Sequence, residues 1–323
     1  MDVTGRGGAG ITPGRVVVGY DGSAASRPAV LWAADEAARR RVPLAVAYAA
    51  DHTGLVGGPL GRAWLPEAAY QAAEREAEAG AALARERRPE LEVTAHAYAG
   101  SPGDALVRES GGSGLVVVGS RGLGELSACV RGSVSAHVAA RADCPVVVVR
   151  GDGVAVPGPG RPVVVAVDGS PAADAALRFA AAAAVETGAT LVITSVWLTV
   201  TEDWTRAYWL AVAPGTDPDE AARQAVEKVA AAAAARVATL APGLDVEVHT
   251  RGGRPAEVIL EVAGDDAGLV VVGSRGRGSL AGLLLGSVGH EIVHGARCPV
   301  AVVRDDRGSA PDPEVRSEAT TPV

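Results

Sequence analysis

The sequence predicts an α/β chain of two tandem open doubly wound (Rossmann-like) domains, each built on a five-stranded parallel sheet in the order 3-2-1-4-5. Three observations carry this. Short apolar runs with little polar alternation, such as residues 16–19 and 115–118, are separated by helical stretches, as in a sheet covered on both faces. The pattern is written twice: "VVVGYDGSAAS" at 16–26 returns as "VVVAVDGSPAA" 147 residues on, and "LVVVGSRG" at 115–122 returns unchanged 154 residues on. A glycine frame follows the fourth strand of each copy. "GSRGLGELSACVRGS" at 119–133 and "GSRGRGSLAGLLLGS" at 273–287 share eight of fifteen positions.

In the first copy, residues 16–19 form a strand that ends in the turn Asp21-Gly22-Ser23. Residues 24–41 place Val30, Leu31, Ala34, Ala37 and Ala38 on one helical face. Residues 44–49 are a second strand, and 67–88 an Ala- and Glu-rich helix stopped by Pro89. A third strand at 91–97 precedes a short helix for which Ser101 is the cap. The fourth strand lies at 115–118, a helix at 133–142 and the fifth strand at 145–149, with right-handed crossovers throughout. The second copy runs the same way and is about six residues longer after its second strand. Domains are therefore expected at 14–150 and 161–304. The linker at 151–160, "GDGVAVPGPG", is too rich in Pro and Gly for a regular element, and 305–323 is expected to be a disordered tail.

Composition bounds the function. Apolar residues make up 48 % of 323 and aromatics 3 %, so the cores are built from Val, Ala and Leu. A net charge of −8 argues against nucleic acid, which clustered Lys and Arg must hold. Lys228 is the one lysine, so neither a lysine phosphate loop nor a Schiff base is expected. No apolar run approaches the roughly 18–20 residues that span a bilayer, and the opening "MDVTGRGGAG" has no signal-peptide core. Cys129, Cys144 and Cys298 have no paired spacing, which suits a reducing compartment, so a cytoplasmic protein without membrane contact is expected.

In an open parallel sheet of this order, the turns after strands one and four flank the ligand crevice. Those are the two turns marked here: Asp21 or Asp168 with its Gly-Ser on one lip, the glycine frame on the other. Glycines there let backbone amides approach an anion and permit positive φ. The frame closes on Gly132-Ser133-Val134, or Gly286-Ser287-Val288, at the start of a helix whose unpaired amides suit phosphate. The serine hydroxyl is available either to cap that helix or to bond a phosphate oxygen. No Gly-Lys-Ser/Thr occurs, and the first turn is not Gly-x-Gly, so neither the kinase-type phosphate loop nor the dinucleotide fingerprint applies.

Gly-x2-Gly-x9-Gly-Ser after the fourth strand, with an Asp after the first, resembles the ATP-binding class of the universal stress protein family in its tandem, actinobacterial-like form. The resemblance implies ATP held noncovalently in each domain, alone or with Mg2+. It places Gly19, Asp21 and Ala49 by the nucleoside, and Gly119, Ser120, Arg121, Gly122, Gly132, Ser133 and Val134 along the phosphates. In the second copy the matching positions are Asp168, Val196, Gly273, Ser274, Arg275, Gly276, Gly286, Ser287 and Val288. Ala166 replaces Gly19 there, and its methyl is expected to crowd the nucleoside. The role implied is a nucleotide-dependent stress-response module without a catalytic residue; the alternative is an ATP-hydrolysing or adenylyl-transferring enzyme of the same superfold. The family resemblance also implies an intrachain pseudo-dimer, residues 146–149 antiparallel to 300–303. A homodimer would then need another surface, such as the Trp-bearing 197–218 loop.

Two patterns are decoys. "HEIVH" at 290–294 spells the zinc-protease motif, yet no third histidine follows it and the first copy reads "AHVAA" in register. Cys144 and Cys298 precede matching Pro-Val strands, where small buried hydrophobes are the default.

Overall fold

A computed structural model describes residues 14–50, 67–120, 133–150, 155–199, 211, 217–276 and 285–305. The first half runs β1 (Arg15–Gly19), α1 (Arg27–Arg40), β2 (Leu44–Ala50), α2 (Glu67–Arg87), β3 (Val93–Ala99), α3 (Pro102–Ser110), β4 (Ser113–Gly119), α4 (Ser133–Arg141) and β5 (Val146–Val149). The second runs β6 (Val163–Ala166), α5 (Pro171–Thr187), β7 (Leu191–Trp197), α6 (Pro218–Leu240), β8 (Val246–Gly252), α7 (Pro255–Ala263), β9 (Leu269–Gly273), α8 (Ser287–Gly295) and β10 (Val300–Val303).

Each half has the expected parallel strand order, but the two five-stranded parallel sheets are corrected to one mixed sheet. The ten strands form one mixed sheet, β3-β2-β1-β4-β5-β10-β9-β6-β7-β8. β5 and β10 join it antiparallel, Val148 opposite Val300, Val147 opposite Ala301 and Val146 opposite Val302. The reason lies in these strands' burial. All eight residues of β5 and β10 are buried, so an edge there would leave backbone amides and carbonyls unpaired and away from water. Mutual pairing satisfies them.

Both apolar layers then run through both halves. On one face α1, α2, α5 and α6 cover the sheet in a single cluster; on the other, α3, α4, α7 and α8 do. The helix at residues 24–41 is shifted. It starts at Arg27, and Trp32 and Ala33 are buried while Leu31 and Ala38 are only partly so. Its start is set by Pro28 in the first turn after Ser26, and its buried face packs on α2, β1 and β4; at its far end Arg40 stands 5.7 Å from the Phe179 ring of α5 and Arg39 pairs with Glu186.

The linker is also more ordered than its Pro and Gly suggest. Gly158 and Arg161 exchange backbone hydrogen bonds of 3.1 and 2.9 Å, and Val156 packs on the apolar cluster. Residues 151–154 and 306–323 lie outside the described residues.

Candidate functional site

The second half shows both lips of the crevice. β6 ends at Ala166, and the chain turns through Asp168-Gly169-Ser170. Asp168 Oδ1 accepts the Ser170 amide at 2.9 Å, and Gly169 takes a positive φ of 77°. Ser170 then caps α5, its Oγ accepting the Ala173 amide at 3.2 Å and donating to the Arg275 carbonyl at 3.4 Å on the opposite lip. The frame leaves β9 at Gly273. Ser274 is buried, Arg275 and Gly276 are exposed, and the Gly286 amide returns to the Ser274 carbonyl at 2.9 Å. A Cβ at Gly276 would stand 2.7 Å from Asp168 Oδ2, so the two lips touch there.

Gly286, not a serine, is the N-cap of α8, and it makes no side-chain cap. Ser287 is therefore the first helical residue and is exposed, so its hydroxyl is not the cap and the first amides of α8 open beside the frame. Val288 turns into the apolar layer below. Val196, at the end of β7, packs on that layer too.

In the first half the Asp turn repeats with a difference. Asp21 Oδ1 accepts both the Ser23 amide (3.0 Å) and the Ser23 hydroxyl (2.6 Å), and Gly22 takes a φ of 83°. The helix begins four residues after Ser23, with Pro28 in its first turn, where α5 begins directly after Ser170. Gly119 closes β4 and the Ser120 amide donates to the Val149 carbonyl at 2.9 Å. Ser133 opens α4, with Val134 packed below it. Ala49 sits partly buried at the end of β2. Arg121, Gly122 and Gly132 lie outside the described residues.

One expectation about glycine is corrected. The positive φ expected at Gly119, Gly273 and Gly276 falls instead on Gly22 and Gly169 at the Asp turns; Gly122 lies outside the described residues. Gly273 lacks a Cβ because the backbone of Ala172 and Ala173 at the start of α5 comes within 2.9 Å. That glycine therefore also lets the start of α5 pack closely against the frame.

Ala166, where crowding is expected, has its methyl on an apolar layer. A Cβ at Gly19 would point at Leu106 Cδ1, 2.9 Å away, and the Ala166 methyl correspondingly joins the layer containing Ile259.

Sequence reasoning missed Glu76 and Tyr48. Glu76, on α2, stands 3.0 Å from where a Gly22 Cβ would be. Burial, then the Glu76 and Asp21 carboxylates, raise the Tyr48 hydroxyl above the ordinary tyrosine range. The first lip is thus more acidic than the second, where Ser195 replaces Tyr48 and donates to the Val167 carbonyl at 2.7 Å. Nothing in the local sequence marks a mid-helix glutamate as a neighbour of a turn some fifty residues earlier.

The decoys resolve physically. The His290 and His294 rings are 4.3 Å apart and His294 Nδ1 meets the His290 carbonyl at 2.8 Å. Among the described residues no third metal donor joins them. Burial raises the Cys144 thiol to about 12 and the Cys298 thiol to about 11. Among the described residues no helix is long and apolar enough to cross a membrane.

A twice-built doubly wound sheet whose Asp turn and glycine frame meet at the strand-order reversal defines a tandem protein of the doubly wound α/β class. The particular family follows from comparison. The profile of the universal stress protein family matches residues 13–150 and again 160–304, and the chain belongs to that family. Universal stress protein Rv2005c of Mycobacterium tuberculosis is 33 % identical over 294 residues, 90 % of this chain and 96 % of the relative. Universal stress protein Rv2623 of the same species is 31 % identical over 296 residues, again 90 % and 96 %. Among solved structures, a universal stress protein from Archaeoglobus fulgidus shares the fold, with a TM-score of 0.62, 22 % identity, and 90 % and 96 % of the two chains covered.

Proposed function

We propose that each half of this chain binds one ATP, with or without Mg2+, and that the protein works as a nucleotide-dependent regulatory module of the stress response in the cytoplasm. The reading rests above all on the meeting of Asp168 with Gly276 beside the first turn of α8. That arrangement puts a carboxylate suited to ribose hydroxyls next to backbone amides suited to phosphate, at the place where such sheets take their ligands. The parts that fit the nucleotide are Asp168, Ser274, Arg275, Gly276, Gly286 and Ser287, with Val196 at the adenine end. The first half offers Asp21, Ala49, Ser120 and Ser133 in the same order. What the described lips present are carboxylate, hydroxyl and amide groups, which hold and orient a nucleotide; this favours a binder over the alternative, an ATP-hydrolysing or adenylyl-transferring enzyme.

The test is to count nucleotide released from purified, heat-denatured protein and to titrate stripped protein calorimetrically. Two ATP per chain is expected. Protein that carries no nucleotide and ignores added ATP overturns the reading, and multiple turnover with a defined acceptor favours the enzyme.

A further inference from the structure

The two halves differ most on the face away from the glycine frame, between the first and second helix of each. In the first half this space is filled. Tyr20, directly after β1, is buried, and its ring lies so close over α2 that a Cβ at Gly80 would stand 2.7 Å from its Cδ1. The repeat register puts Val167 at the Tyr20 position and Ala233 at the Gly80 position. The second half gains one methyl and loses a whole phenol ring.

A cavity of about 570 Å³ results between α5 and α6. That lies within the range of about 300–1,000 Å³ usual for small-molecule sites. Its wall is apolar: Val167, Leu177, Val229 and Ala233. Its rim is charged, with Arg178, Lys228 and Arg236 against Asp174 and Asp305, a net excess of one positive group. Asp174 accepts Arg178 at 2.5 Å and Arg236 at 2.9 Å, so one carboxylate stands between two guanidiniums. Lys228, the one lysine of the chain, adds an ammonium group on the same rim and has no ion-pair partner among the described residues. The first half has Arg27, Leu31 and Leu83 where the second has Asp174, Arg178 and Arg236, so both the space and its polar triad belong to the second half alone.

We infer that the α5–α6 groove of the second half is a second ligand site, taking a small amphipathic carboxylate. The apolar body lies on Val167, Leu177 and Val229, and the carboxylate faces Lys228 and the Arg178–Asp174–Arg236 cluster. The groove meets the crevice only along Gly169-Ser170, and α8 with the frame lies across the sheet, so this ligand binds independently of nucleotide.

Calorimetric titration of the full chain with decanoate tests this. One saturable site per chain is expected, unchanged by saturating ATP. Val167→Tyr with Ala233→Gly rebuilds the first half's plug and should weaken binding at least about tenfold, and Lys228→Gln should weaken it several-fold. If the double variant does not melt as a folded protein, Ala232→Trp, at an exposed position lining the groove, serves as the plug instead. No saturable binding to the wild type overturns the inference, as does equal affinity in a folded plugged variant. Displacement by ATP would assign the groove to the nucleotide crevice. Binding that appears only after residues 306–323 are deleted would assign it to the chain's own acidic tail, which follows Asp305 at the groove's edge.

Discussion

Arg150 and Arg304 stand at equivalent positions after the two central strands, and each reaches into the opposite half. Arg150 donates to the Val293 carbonyl near the end of α8, and Arg304 to the Ala140 and Ala142 carbonyls at the end of α4, both at 3.3 Å. The last carbonyls of a helix have no partner within it and carry the negative end of its dipole, so a guanidinium there is doubly favourable. The junction of the halves is locked at both ends by the same device.

Arg304→Ala should therefore lower the unfolding free energy by about 1–3 kcal/mol, the usual worth of a charge-assisted hydrogen bond. Urea denaturation reads this directly. A midpoint equal to that of the wild type would show that the crossing contributes nothing.

One sheet with two shared apolar layers should unfold as a unit. Val148 is fully buried opposite Val300, so Val148→Asp places an unpaired carboxylate in the seam and should cost at least about 3–5 kcal/mol. Calorimetry is expected to show a single transition for the wild type and a lower or absent one for the variant. Two well-separated wild-type transitions would mean that the halves are thermodynamically independent.

Gly276→Ala forces the Asp168 carboxylate to swing away from a new Cβ that would otherwise stand 2.7 Å from it. Because both residues are on the rim, stability should change by less than about 1 kcal/mol. Nucleotide affinity at the second site should fall about tenfold, with the first site untouched. A folded variant that keeps two equal ATP sites counts against the meeting of the two lips as part of the pocket.

Burial holds Cys144 and Cys298 as protonated thiols well above ordinary thiol values. Peptide mapping after iodoacetamide at pH 8 should find both unmodified in the folded protein and both modified in urea. The linkage follows: the folded state keeps protons that the unfolded chain releases, so stability falls as pH rises from about 9 toward 12. Ready modification of native Cys144 would contradict its burial.

Much of each half was legible because its signals are local. Asp21-Gly22-Ser23 needs positive φ at its glycine wherever it sits, and Ser101 and Ser170 cap the helices they precede. The crevice could be located for a related reason: strand order and the two turns that flank its reversal are set by pattern and spacing. The antiparallel seam of β5 with β10 was expected from family resemblance and from two bare valine edges. What was misjudged depended on neighbours far along the chain. Leu31 and Ala38 lie on a sound helical face, but the packing of α1 against α2, β1 and β4 decides which of its residues are buried. Nothing near Gly273 in the sequence shows that α5 packs there, where an added Cβ would stand 2.9 Å from the Ala172 backbone.

By itself the sequence determined the repeat, the alternation of strand and helix, the order within each half and the two turns that flank the strand-order reversal, because periodicity and turn chemistry act over a few residues. Only the tertiary structure decided which side chains each apolar layer shares across the seam, that Glu76 and Tyr48 stand by the first Asp turn, and that a groove opens beside Val167 where Tyr20 closes its counterpart. Each of these depends on which side chains from distant segments compete for the same volume. Close packing settles that competition globally, and no window of sequence contains both competitors.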